Sequence, residues 1–121
     1  MANIKRFEDL ECWRSARKLT KELFLISDKG KLSKDYEIKN QIRSAALSIM
    51  NNIAEGFGRY SEKEFIRFLN VAQSSGLEVK SMLYLLEDLN YLNQDDLGNL
   101  MQEVNKTISL TLGLLRYLNN K

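Results

Sequence analysis

The 121-residue chain contains no histidine and no proline, one cysteine and six glycines. Without histidine there is no imidazole to act as a general base. Ser-His-Asp and Cys-His triads are therefore excluded, and so are metal sites built on two histidines, such as the Glu-x-x-His pairs of di-iron bundles. One cysteine can neither close an internal disulfide nor assemble a multi-cysteine zinc site. No apolar run approaches the ~18 residues of a membrane span, and Met1-Ala2-Asn3-Ile4-Lys5-Arg6 lacks the apolar stretch of a secretory signal. The expectation is a soluble, cytoplasmic, non-membrane protein with no catalytic residues, no metal and no cofactor. At 14.0 kDa, with 44% apolar and 28% charged residues, the chain fits one ordinary globular domain spanning residues 1–121.

Without proline and with little glycine, helices can run long. Four segments carry apolar residues at helical spacing, about 10–27, 35–57, 61–90 and 95–119. In the first, Cys12, Ala16, Leu19, Leu23 and Ile26 share a face; in the second, Ile38, Ile42, Ala45, Ile49 and Ile53 do. The third opens on a capping box, Ser61-Glu62-Lys63-Glu64. Steps of three and four then carry it through Phe65, Phe68, Ala72, Ser75, Val79, Met82, Leu86 and Leu89. The fourth opens on Asp95 and Asp96, suited to the positive end of a helix dipole. It continues through Leu97, Met101, Val104, Ile108, Thr111, Leu115 and Leu118. Connections are short, the longest being the polar stretch from Asp28 to Lys34. Short links favour antiparallel neighbours, so the predicted fold is all-α, an up-down-up-down antiparallel four-helix bundle.

Some apolar residues exceed what one bundle can hide. In Met82-Leu83-Tyr84-Leu85-Leu86, successive residues turn by roughly 100°, so the five point all around the axis. Leu23-Phe24-Leu25-Ile26 does the same, and Leu110, Leu114 and Tyr117 form a stripe opposite Ile108 and Leu115. Continuous apolar patches are uncommon on monomers. Phe24, Leu83, Leu85, Leu110, Leu114 and Tyr117 are therefore the candidate interface of a homo-oligomer.

A net charge of +2 hides an asymmetry: residues 1–43 carry eleven basic and seven acidic side chains, the remainder seven and nine. Arg14, Arg17, Lys18 and Lys21 fall at i, i+3, i+4 and i+7, a single stripe opposite the apolar face of the first helix. Lys39 and Arg43 are candidates to extend it. Such a stripe is either a solvated outer face or a track for nucleic-acid phosphates, and repetition around an oligomer would multiply its field. On the second reading, reversing Arg17 and Lys18 to Glu abolishes binding without unfolding the bundle.

A second polar cluster surrounds the central hairpin: Asn52, Glu55, Gly56, Gly58, Arg59, Ser61, Glu64 and Arg67. Its glycines read as helix stops with positive backbone angles. Arg59 is placed to pair with Glu55 or Glu64, and Arg67 with Glu64. Such arginines lower carboxylate pKa values, the wrong direction for a general acid, so an enzyme is not expected. Cys12 reads as an inert core residue, and Trp13 as an anchor for packing or an interface.

Phe7-Glu8-Asp9-Leu10, Trp13, Gln41-Ile42-Arg43-Ser44-Ala45-Ala46, Asn52-Ile53-Ala54-Glu55-Gly56-Phe57-Gly58-Arg59 and Glu64-Phe65-Ile66-Arg67-Phe68-Leu69 resemble the four-helix bundle family of 23S rRNA-intervening-sequence proteins. The family often carries proline before and within its second helix; this chain has none. The resemblance implies an up-down bundle assembling into a ring, typically a homopentamer, with no established activity for most members. Similar accessory proteins of diversity-generating retroelements are barrel-like pentamers that bind nucleic acid and a reverse transcriptase. The leading expectation is thus a non-enzymatic, sequence-tolerant RNA- or DNA-binding accessory acting through Arg14, Arg17, Lys18, Lys21, Lys39 and Arg43. The competing one is a scaffold that docks a protein partner through apolar or hairpin surface.

Overall fold

The computed structural model describes residues 4–121, which form α1 (Glu11–Ser27), α2 (Tyr36–Phe57), α3 (Glu62–Asp88) and α4 (Gln94–Asn119). Single 3-10 turns at Phe7–Asp9 and Leu32–Lys34 precede α1 and α2, and no strand occurs among the described residues. Each helix begins and ends within two residues of its predicted bounds. The Asp28–Lys34 link is less polar than its composition suggests, because Leu32 is fully buried.

Local chemistry sets the ends. Asp35, Ser61 and Asn93 cap α2, α3 and α4, each side-chain oxygen accepting from the amide three residues on, at 3.2, 3.3 and 2.8 Å. At α3 only half the expected capping box forms, since the Glu64 carboxylate is taken by Arg67. Asn90, at φ 58°, ends α3: its amide donates to Glu87 O and that of Tyr91 to Leu86 O, both at 3.0 Å. These two bonds are the Schellman pattern, with asparagine in the left-handed position that glycine usually takes.

α1 packs on α2 and α4, α2 packs on α3, and α3 packs on α4. The enclosed core draws on all four helices and includes Leu19, Leu23, Ile42, Ile53, Leu69, Val79, Leu83, Leu86 and Val104. Each helix faces two neighbours, so it buries a broad stripe rather than a narrow seam. This is where the even three-four rhythm read along α3 departs from the structure. A strict seven-residue repeat slips by about 20° per heptad on a straight helix. Along the row Phe68, Ser75, Met82, Leu89, burial accordingly decays: the first two are buried, Met82 is half-buried and Leu89 is 39% exposed. Leu83, expected at an oligomer interface, instead replaces Met82 in the core and is 0% exposed. It lies one turn beyond Val79 on the face that Leu69 and Gly76 also occupy.

The glycine reading is corrected as well. Gly58, the C-cap of α2, has φ −72°, and Gly56 lies inside the helix. The left-handed residue of the hairpin is Tyr60, at φ 56°. What Gly56 supplies is the absence of a side chain: a Cβ there would sit 2.5 Å from the Phe68 Cβ. The two helices touch backbone to ring at this point.

Candidate nucleic-acid interface

The four cations of the α1 stripe all remain exposed, but they differ in what they touch. Arg14 donates to Glu8 O at 2.7 Å and lies 3.5 Å from Asp9 Oδ1. Lys18 reaches across to α4 and donates to Glu103 Oε1 at 3.2 Å; that hydrogen bond and charge raise its pKa. Arg17 lies over the indole of Trp13, 5.5 Å from the ring centroid, and neither it nor Lys21 meets a carboxylate among the described residues.

The two predicted extensions of the stripe are engaged at the α1–α2 contact. Arg43 Nη2 donates to Phe24 O at 3.0 Å and Asp28 Oδ1 at 2.8 Å, its Nε donates to Ser27 Oγ at 2.7 Å, and its guanidinium covers the Phe24 ring at 4.4 Å. Lys39 Nζ lies 2.9 Å from the same Asp28 oxygen. Asp28 is held below the ordinary carboxylate range by Lys39 first and Arg43 next. Arg43 is therefore an interhelix lock before it is a ligand group.

Charge divides unequally between the two sides of α1. Toward α4, two shallow grooves of about 410 and 360 Å³ meet at the Lys18–Glu103 pair. Their linings set Arg14, Lys18, Lys29 and Lys106 against Glu11, Glu22, Asp96 and Glu103, an even balance. Arg17, Lys21, Lys39 and Arg43, by contrast, touch one carboxylate in all, Asp28. Within α1, the cations that meet no carboxylate among the described residues are Arg17 and Lys21; Lys5, Lys29, Lys31 and Lys34, outside the helix, meet none either.

Glu103 has no signal in the sequence, because only the α1–α4 contact brings it to Lys18. Its second oxygen, Oε2, is buried without a hydrogen-bond partner. Beneath it, Thr107 Oγ1 donates to Glu103 O at 2.9 Å, so the 2.6 Å bond between Ser15 and Thr107 has Ser15 as donor.

The hairpin cluster forms two ion pairs, as its spacing suggests. Arg59 meets Glu55 at 2.9 Å, and Arg67 grips Glu64 with two bonds of 3.1 Å. Arg67, the nearer charge, lowers the Glu64 pKa. Both guanidiniums also lie against Phe68, at 5.1 and 4.5 Å. Asn52 turns inward to Ser48, whose hydroxyl bonds Ser75 at 2.7 Å. The cluster does not converge on one ligand. It caps and fastens the α2–α3 junction, and Ser61 serves as the N-cap.

Of the interface candidates, Leu85 and Tyr117 are exposed, the latter with Lys121 over its ring. Phe24, Leu110 and Leu114 are half-buried against the core or its edge. Leu25, Leu77 and Tyr84 add exposed apolar surface that the candidate set does not contain. Cys12 is buried, and burial pushes its thiol up to about 11, as expected of an inert residue. Among the described residues no acidic, cysteine or histidine cluster could hold a metal ion, and no helix is long and apolar enough to cross a membrane.

The family model of the 23S rRNA-intervening sequence protein matches residues 8–113. The chain belongs to that family. A crystal structure of a protein of unknown function from the S23 ribosomal protein family of Bacteroides thetaiotaomicron VPI-5482 is similar in fold. It is 20% identical with a TM-score of 0.79, over 87% of this chain and 95% of that one. No curated protein matches the sequence. The match spans α1 to α3 and most of α4, and with them the whole Asn52–Arg59 block.

Proposed function

We propose that this family member is a non-enzymatic, self-associating nucleic-acid-binding accessory that takes RNA without strong sequence preference. The observation that carries the reading is Arg17 and Lys21, exposed one turn apart on α1 and touching no carboxylate among the described residues. Phosphates are their natural counter-charges, and each phosphate neutralised releases a counterion. Arg14 joins from an exposed pair at 3.5 Å, and Lys18, itself exposed, from a pair at 3.2 Å with the largely covered Glu103. Exposed pairs of this kind are weak and exchange readily for phosphate.

The arrangement inferred for the subunit is up-down-up-down. Ser15 with Thr107 and Lys18 with Glu103 support opposite chain senses for α1 and α4, as Gln41 with Glu78 and Ser48 with Ser75 do for α2 and α3. Exposed Leu77, Tyr84 and Leu85 on α3 and Leu25 on α1 support assembly with further copies, a pentamer by family resemblance.

Binding of a labelled RNA, followed by anisotropy across a salt series, tests the reading. Phosphate contact gives a steep linear fall of log affinity with log salt, and Arg17→Glu/Lys21→Glu abolishes binding with the helical signal intact. This pair is a cleaner test than Arg17 with Lys18, because Glu at position 18 would also face Glu103. Affinity indifferent to salt and to the double reversal transfers the surface to a protein partner.

A further inference from the structure

Resting on the nucleic-acid reading, we infer that the strand taken is single-stranded RNA and that one base seats on the Trp13–Arg17 stack. Two guanidinium-on-ring stacks line the flank of α1 that faces α2, and they are built for different ends. At Phe24, Arg43 spends its donors on Ser27, Phe24 O and Asp28 and fastens two helices together. At Trp13, Arg17 lies one turn further along the same helix and over the ring, yet makes no hydrogen bond among the described residues. Phe7 also holds the indole, in a T-shaped contact at 5.0 Å and 68°. The result is a ring carrying a planar cation whose donors are unspent, one turn from Lys21, which likewise meets no carboxylate among the described residues.

Planar rings and guanidiniums seat unstacked bases, and cations beside them hold the backbone. A duplex has its bases already stacked and offers this surface phosphates alone. Arg17 and Lys21 carry the backbone in either case; the ring adds affinity for a single strand. Trp13 is then a ligand-contacting residue as well as a packing one.

The chain has one tryptophan, so its emission reports on this position alone. The test titrates the full-length protein with a 20-nucleotide uridine-rich RNA and, separately, with a duplex of the same length, reading tryptophan emission and anisotropy together. The expected result is emission quenched by the single strand and unchanged at saturation by the duplex. The single strand should also bind about ten-fold more tightly, the contribution of one stacked base. Trp13→Leu removes that preference and leaves duplex affinity in place, and Trp13→Phe keeps most of it. If Trp13→Leu does not fold, wild-type emission and Trp13→Phe still decide. Salt-sensitive binding of both nucleic acids with equal affinity and no emission change overturns the stack but spares the phosphate contacts. Binding of neither overturns the proposed function, and this inference with it.

Discussion

The α2–α3 and α1–α4 contacts hold opposite sides of the same bundle by different means. Between α2 and α3 the chain places Gly56 under Phe68, and a bonded pair of serines, Ser48 and Ser75, further along. At Gly56 the absence of a side chain lets the helices close until ring meets backbone. Between α1 and α4, Ser15 with Thr107 and Lys18 with Glu103 span a boundary with open grooves on either side. The first contact is dry and shape-limited at Gly56; the second is polar and wet. The surface proposed for nucleic acid, Arg17 and Lys21, lines neither groove of the second contact and lies on the flank of α1 turned toward α2.

The largest expected difference comes from filling the dry contact. Gly56→Val places carbon 2.5 Å from the Phe68 Cβ and costs about 3 kcal/mol, read as a lower urea midpoint. Gly98→Ala, on exposed α4 with nothing within 4 Å, instead gains about 1 kcal/mol. Equal responses at the two glycines would erase the distinction.

Next is the buried thiol of Cys12. Its folded pKa, about 11, lies above the ordinary 9.0, so the folded state holds its proton more tightly than the unfolded chain. The associated stability is complete below pH 9 and is lost as pH rises through about 11, roughly 3 kcal/mol in all. Urea titrations at pH 8 and above show the loss, and Cys12→Ala removes this pH dependence whatever it does to stability at neutral pH.

Smaller still is the polar pair. Ser15→Ala leaves Thr107 without its donor and costs about 1 kcal/mol, whereas Ser15→Ala with Thr107→Val comes back toward neutral. Smallest is Lys18→Ala, which removes an exposed lysine from Glu103 and leaves the urea midpoint close to that of the wild type. A loss at Lys18 as large as that at Gly56 would make the wet contact as structural as the dry one.

The helices and their inward faces were legible in the sequence because period and capping are local. Ser61 and the acidic start of α4 mark their ends as expected, and Arg59 and Arg67 find the carboxylates their spacing assigns. What lay beyond local reading was choice among near-equivalent positions. Leu83 against Met82 is a matter of 100° of rotation, decided by the slip between a seven-residue repeat and a straight helix. Gly56 was visible as punctuation but not as clearance, since Phe68 reaches it only in three dimensions. The basic stripe was legible as a row, yet its division into engaged Arg14 and Lys18 and open Arg17 and Lys21 depends on Asp9 and on Glu103, eighty-five residues from Lys18 in the chain.

Tyr60, left-handed and 94% exposed, stands at the apex of the short turn between α2 and α3, directly after Arg59. A bend so open is where trypsin would cut first, after Arg59, leaving two fragments of near-equal length with two helices apiece. The tightest packing in the molecule crosses the break, so the nicked halves should migrate as one species until denaturant parts them.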